Sequence, residues 1–128
     1  MRPDLAAVSD SPALSYYTNG RGARTNGPGV AAPDKVDFIT IGDSQTVGYG
    51  VASDETYTSD LARETNLVGL NFGVSGFGGV GSLLVLCREL DLAPKFVVYG
   101  FWEDHLNRNV RPCLESGTPF CIPRPSVT

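Results

Sequence analysis

The sequence predicts an α/β fold built on a parallel sheet, and three observations carry that prediction. Residues 36–41, 68–72 and 95–100 are short apolar runs rich in β-branched and aromatic side chains. Continuous runs of this kind mark strands covered on both faces. Segments with helical signals separate the runs, giving the order βαβαβ, which closes as parallel strands joined by right-handed crossovers. Each run also ends at a glycine, Gly42, Gly73 or Gly100. Three glycines at three strand ends suggest one shared cleft.

Residues 1–35 differ in character from the rest of the chain and are read as an extended arm, with 36–128 as the folded part. The arm holds Pro3, Pro12, Pro28 and Pro33 and two Asn-Gly pairs, Asn19-Gly20 and Asn26-Gly27. Asn-Gly favours tight turns with positive φ, so one hairpin is expected, with residues 14–17 as its first strand. The first core strand carries Val36, Phe38, Ile39 and Ile41 and runs into the turn Gly42-Asp43-Ser44 and a loop containing Gly48 and Gly50. Ala52-Ser53-Asp54-Glu55 then offers a Ser or Asp cap and first-turn acids, which suit a helix N-terminus. Tyr57 and Leu61 would face the core of that helix, and Asn66 would stop it. After the second strand, residues 73–81 (GVSGFGGVG) are too rich in glycine for a regular element and read as a loop where backbone approaches something closely. Residues 82–92 form the next helix, with Leu83, Leu86 and Leu90 on one face and Pro94 ending it. The third strand contributes Phe96, Val97, Val98 and Tyr99. Residues 101–109 read as a loop or short helix, and the tail to Thr128 as irregular.

Composition narrows the function. A chain of 128 residues has room for one domain and one core, and 41% hydrophobic content is that of a globular protein. The net charge of -4 gives no footprint for nucleic acid or an anionic membrane surface. No apolar run approaches the roughly 20 residues of a membrane span, and residues 1–12 lack the apolar core of a signal peptide. The compartment is not encoded, and neither is an oligomeric state. The three cysteines fit neither a dense disulfide framework nor a zinc site. Cys113 and Cys121 could pair in an oxidising compartment, while Cys87 reads as a packed small side chain. His105 is the whole imidazole supply, and in its charged setting it reads as a surface or salt-bridged residue. Phe101 and Trp102 read as core or cleft wall.

Ser44 is the candidate for chemistry. It leaves the carboxyl end of the first core strand, where open α/β sheets place their ligands. A serine there has an exposed hydroxyl and nearby backbone N–H groups. Asp43 is expected to hold the turn by accepting backbone N–H bonds.

These residues resemble a known family. Gly42-Asp43-Ser44 after a strand, with Thr46, Gly48, Gly50 and Val51 following, is similar to the first block of the SGNH (GDSL-like) hydrolases, and residues 71–76 (NFGVSG) resemble the second. The likeness covers roughly residues 36–110. It implies a three-layer α/β/α sandwich with a parallel sheet that hydrolyses esters, often of acylated carbohydrates or lipids. Ser44 would be the nucleophile, and the N–H groups of Ser44 and Gly73 would stabilise the oxyanion. A side chain at 73 would obstruct the substrate oxygen. The family's third block carries Gly-x-Asn-Asp, whereas this chain has Gly100-Phe101-Trp102-Glu103-Asp104. Glu103, Asp104 and Asn107 are therefore the third-block candidates: Glu103 turns away, Asn107 substitutes, or the acid is used differently. The family's Asp-x-x-His is absent, since Trp102 stands three before His105. The chain is expected to be a fragment with three of the family's five strands, inactive by itself. No cofactor or metal is called for, and the partner would be a small-molecule, glycan or lipid ester.

Three other readings stand beside this one. Gly-Asp-Ser also occurs in phosphopantetheine carriers, but there the serine heads a helix in a small bundle. A flavodoxin-like nucleotide module would need a glycine fingerprint or P-loop lysine that this chain lacks. A non-catalytic SGNH-like domain that binds glycans remains, and Glu103 is the residue that favours it.

Overall fold

The computed structural model describes residues 15–110. Its strands are β1 (Tyr17–Thr18), β2 (Arg24–Thr25), β3 (Phe38–Gly42), β4 (Gly69–Asn71) and β5 (Phe96–Gly100), in one sheet of order β1-β2-β4-β3-β5. The helices are α1 (Ser44–Val47), α2 (Tyr57–Thr65), α3 (Gly79–Arg88) and α4 (Asp104–Val110). The class is α/β, as expected. β3 is central, parallel to β4 on one side and to β5 on the other, and every one of its residues is buried.

The sheet is mixed, however, and has five strands rather than three. The arm supplies the other two. Asn19-Gly20 sits in the turn of a hairpin, where Asn19 Oδ1 accepts from Arg21 N–H (3.0 Å) and Ala23 N–H (3.1 Å), and Gly22 takes φ +83°. Such side-chain-to-backbone bonds are why Asn recurs in tight turns. β2 then adds antiparallel to β4 through Arg24 opposite Asn71. From the turn, Arg21 reaches Glu89 (3.0 Å) and Asp91 (2.6 Å), tying the hairpin to the end of α3.

Ala23, Val36, Ile39, Ile41, Leu70, Phe72, Val85 and Leu92 form the core, and the rings of Phe38 and Phe96 stack at 5.3 Å. Helix boundaries depart from expectation for local reasons. Cap signals at 52–55 make a single 3-10 turn, Ser53–Glu55, while Thr56 caps α2 by accepting from Ser59 N–H. Asn66 stops α2 in the left-handed conformation (φ +55°), as its position implied. The inward residue of α2 is Thr58, whose hydroxyl meets that of Thr40 at 2.7 Å; Tyr57 is half-exposed and Leu61 partly so.

α3 begins inside the glycine run rather than after it. Gly81 allows this, because a Cβ there would press on the Phe77 ring at 2.7 Å. The buried face of α3 is Gly81, Ser82 and Val85. Leu83 and Leu90 are exposed, and only Leu86 of the expected leucine face packs against the core. Cys87 is exposed as well, not packed.

Candidate functional site

Ser44 opens α1, immediately past the buried end of β3. Asp43 caps the helix by accepting from Gln45 N–H at 3.0 Å, the role its position predicts. Gly48 closes the helix in the left-handed conformation, and the Ser44 carbonyl accepts from Gly48 and Tyr49 N–H (3.1 and 2.8 Å). The Ser44 side chain is half-buried, and among the described residues nothing hydrogen-bonds its hydroxyl.

The three strand-end glycines do converge, but on α1 rather than on an open cleft. Gly42 and Gly100 are register partners, and a Cβ on either would overlap the Thr46 hydroxyl. At Gly73 a Cβ would overlap Val47 N and lie 2.9 Å from Thr46 C and Val47 Cα. Glycine at all three positions lets a one-turn helix rest directly on the strand ends. Thr46 in turn accepts from Tyr57 Oη at 2.9 Å, and Asn71 Nδ2 donates to the Thr46 carbonyl at 2.7 Å. The Gly73 N–H, expected to face an oxyanion, donates instead to Asn71 Oδ1 at 3.0 Å. The space a side chain at Gly73 would take is filled by the backbone of α1.

Beneath the turn lies a charged cluster. Asp43 is 1% exposed, and its Oδ2 accepts from Trp102 Nε1 at 2.6 Å and Arg108 Nη1 at 2.8 Å. His105 Nε2 lies 3.2 Å from the same oxygen, while its Nδ1 is 2.8 Å from Tyr99 Oη. Burial pushes the Asp43 carboxyl upward most strongly, yet the donors from Trp102, Gln45, His105 and Arg108 together hold it below the ordinary carboxylate value. His105 thus lies against a carboxylate and is fully buried rather than on the surface. Trp102 is neither core nor plain wall: the residue is 37% exposed while its N–H is spent on Asp43, and Phe101 is more than half exposed.

Among the described residues none of the third-block candidates forms a hydrogen bond or ion pair with Ser44. Glu103 is exposed, and among the described residues its side chain makes no hydrogen bond. Asp104 pairs with Arg108 Nε at 2.7 Å, and exposed Asn107 donates weakly to Asp104 at 3.4 Å. The functional neighbours the sequence did not disclose are Arg108, Asn71 and Arg24. Arg108 had a signal: His105 and Arg108 stand three apart, on one face of the short helix that residues 101–109 could form.

A cavity of about 400 Å³ lies elsewhere, between the hairpin, α2 and β4, lined by Arg24, Thr56, Thr58 and Arg63 among others. Neither Ser44, Asp43 nor Gly73 borders it. Among the described residues no group of His, Cys, Asp and Glu is placed to hold a metal, and no helix is long and apolar enough to cross a membrane. Cys113 and Cys121 lie outside the described residues. No protein-family model, curated protein or solved structure matches the chain significantly.

Proposed function

We propose that Ser44 is the nucleophile of a serine ester hydrolase of the SGNH type, acting on acylated carbohydrate or lipid esters within that family's three-layer sandwich. One observation carries the reading. A hydroxyl without a hydrogen-bond partner among the described residues stands at the carboxyl end of the central parallel strand, on a turn fixed from both sides. In the proposed reaction Ser44 Oγ adds to the ester carbonyl as its proton passes to a base. The alcohol leaves, and water then cleaves the acyl-serine. Among the described residues the Ser44 N–H has no acceptor and is the available oxyanion donor, since Asn71 holds that of Gly73.

His105 is not assigned as that base. Its two nitrogens face Tyr99 and Asp43, so its role here is to hold the turn. The same observation favours a second reading, a non-catalytic glycan-binding domain on this scaffold. A fluorophosphonate separates them. Under the hydrolase reading it modifies Ser44 and no other hydroxyl, mapped by peptide mass spectrometry, and Ser44→Ala abolishes labelling without changing stability. Unlabelled protein that still binds acylated glycans establishes the second reading; label on another serine refutes the first.

A further inference from the structure

Arg24 is a buried cation whose charge is met by carbonyl and hydroxyl oxygens. It is 7% exposed, on β2 of the hairpin, and no carboxylate pairs with it among the described residues. Its Nη1 donates to the carbonyls of Val47 and Gly48, both at 2.6 Å. Its Nη2 donates to the Val51 carbonyl at 2.8 Å and to Ser53 Oγ at 3.2 Å, and Nε to the same hydroxyl at 3.3 Å. All five N–H groups therefore end on the stretch 47–53. The Tyr16 ring lies 5.0 Å from the guanidinium and helps offset its lost hydration.

These acceptors are not interchangeable with others nearby. Val47 and Gly48 are the last residue and the cap of α1, whose terminal carbonyls have no partner within the helix. A helix of four residues does not hold its shape unaided. Its beginning is tied through Asp43 to Trp102 and Arg108, and its end is tied through Arg24 to the hairpin. β2 is also anchored where α1 needs it, because Asn71, the register partner of Arg24, donates to the Thr46 carbonyl. A lysine could not replace this fork. Its single ammonium carries three donors at one point, not five spread across a plane.

We infer that Arg24 is a positioning residue for Ser44: the arm, through one guanidinium, fixes the far end of the segment that presents the nucleophile. This inference rests on the hydrolase reading for its purpose, but its geometry is measurable without it.

Two variants of the full chain, Arg24→Lys and Arg24→Met, test it by amide hydrogen exchange with mass spectrometry. Exchange across residues 44–53 should accelerate by about tenfold or more, the scale of one lost hydrogen bond. Residues 36–42 should exchange as in the parent chain, and melting should stay cooperative. Fluorophosphonate labelling of Ser44 should slow by about the same factor. Unchanged exchange at 44–53 in both variants overturns the inference. So does faster exchange with an unchanged labelling rate, which would confine Arg24 to stabilising the loop. Loss of the cooperative fold in both variants overturns it too, by making Arg24 a residue of the core. If Ser44 of the parent chain is never labelled, the hydrolase reading falls, and exchange at 44–53 alone decides the inference.

Discussion

Gly73→Ala separates two roles for the second glycine block. As an oxyanion donor alone, Gly73 could accept a methyl with the fold intact and only the chemistry slowed. The structure gives another outcome. The added Cβ would overlap Val47 N and stand 2.9 Å from two further backbone atoms of α1. Those atoms cannot rotate aside like the end of a side chain, so α1 must lift off the strand ends or β4 must sink. Overpacking of this kind costs about 1–3 kcal/mol, and with backbone on the receiving side the upper end, about 3 kcal/mol, applies. For a domain of this size that is a fall in Tm of roughly 10 °C. The assay is thermal and urea unfolding by circular dichroism, with Gly20→Ala as the control, since a Cβ at Gly20 meets nothing within 4 Å. A Gly73→Ala protein that melts within about 2 °C of the parent would refute the seating argument. If labelling of Ser44 were also slowed, the oxyanion role would be restored.

Two further outcomes concern the cluster and the sheet edge. Because the Asp43 carboxyl is held below its ordinary value, its contribution to stability is complete above the unfolded-state value of about 3.9 and disappears as pH falls through the lower folded value. Asp43→Asn should start about 3 kcal/mol less stable at neutral pH, with the buried side of Arg108 stripped of its carboxylate and only Asp104 left to it, and lose less on acidification; urea midpoints that fall in parallel would refute this. At the other end of the sheet, β5 has no strand beyond it among the described residues and exposes Phe96, Val97 and Tyr99 without a charge. Edges of this kind recruit other chains. Sedimentation velocity should show concentration-dependent association that Val97→Lys weakens, and equal behaviour of the two proteins would count against it.

What was legible in the sequence was what local chemistry decides. β3 is buried on both faces, so its apolar run shows no alternation to confuse, and the turn after it delivers Ser44 and the Asp43 cap where they were read. Asn19-Gly20 announced its hairpin, and Asn66 its helix stop. What was illegible depends on distant partners. A two-residue strand carries no pattern, so nothing in Arg24-Thr25 said that the arm would join the sheet. The apolar residues of α3 surround the helix, and which of them turn inward is decided by Phe77 and β3. His105 sits in a charged run that looks solvated, and inside it meets Asp43, far away in sequence, together with the Tyr99 hydroxyl. The glycines were read correctly as sites of close approach, but the approaching group is the chain's own helix.

The hairpin also orders events in time. β3 pairs with β5 along its whole length and with β4 over three residues. The arm's hold is slighter: β2 meets β4 at one register pair, Arg24 with Asn71, and Arg21 reaches Glu89 and Asp91 from the hairpin turn. An element held by so few pairs opens locally before the rest of the sheet does. The hairpin, with Arg24 on it, acts as the latch on the turn that carries Ser44, and its release is the first step by which that turn comes undone.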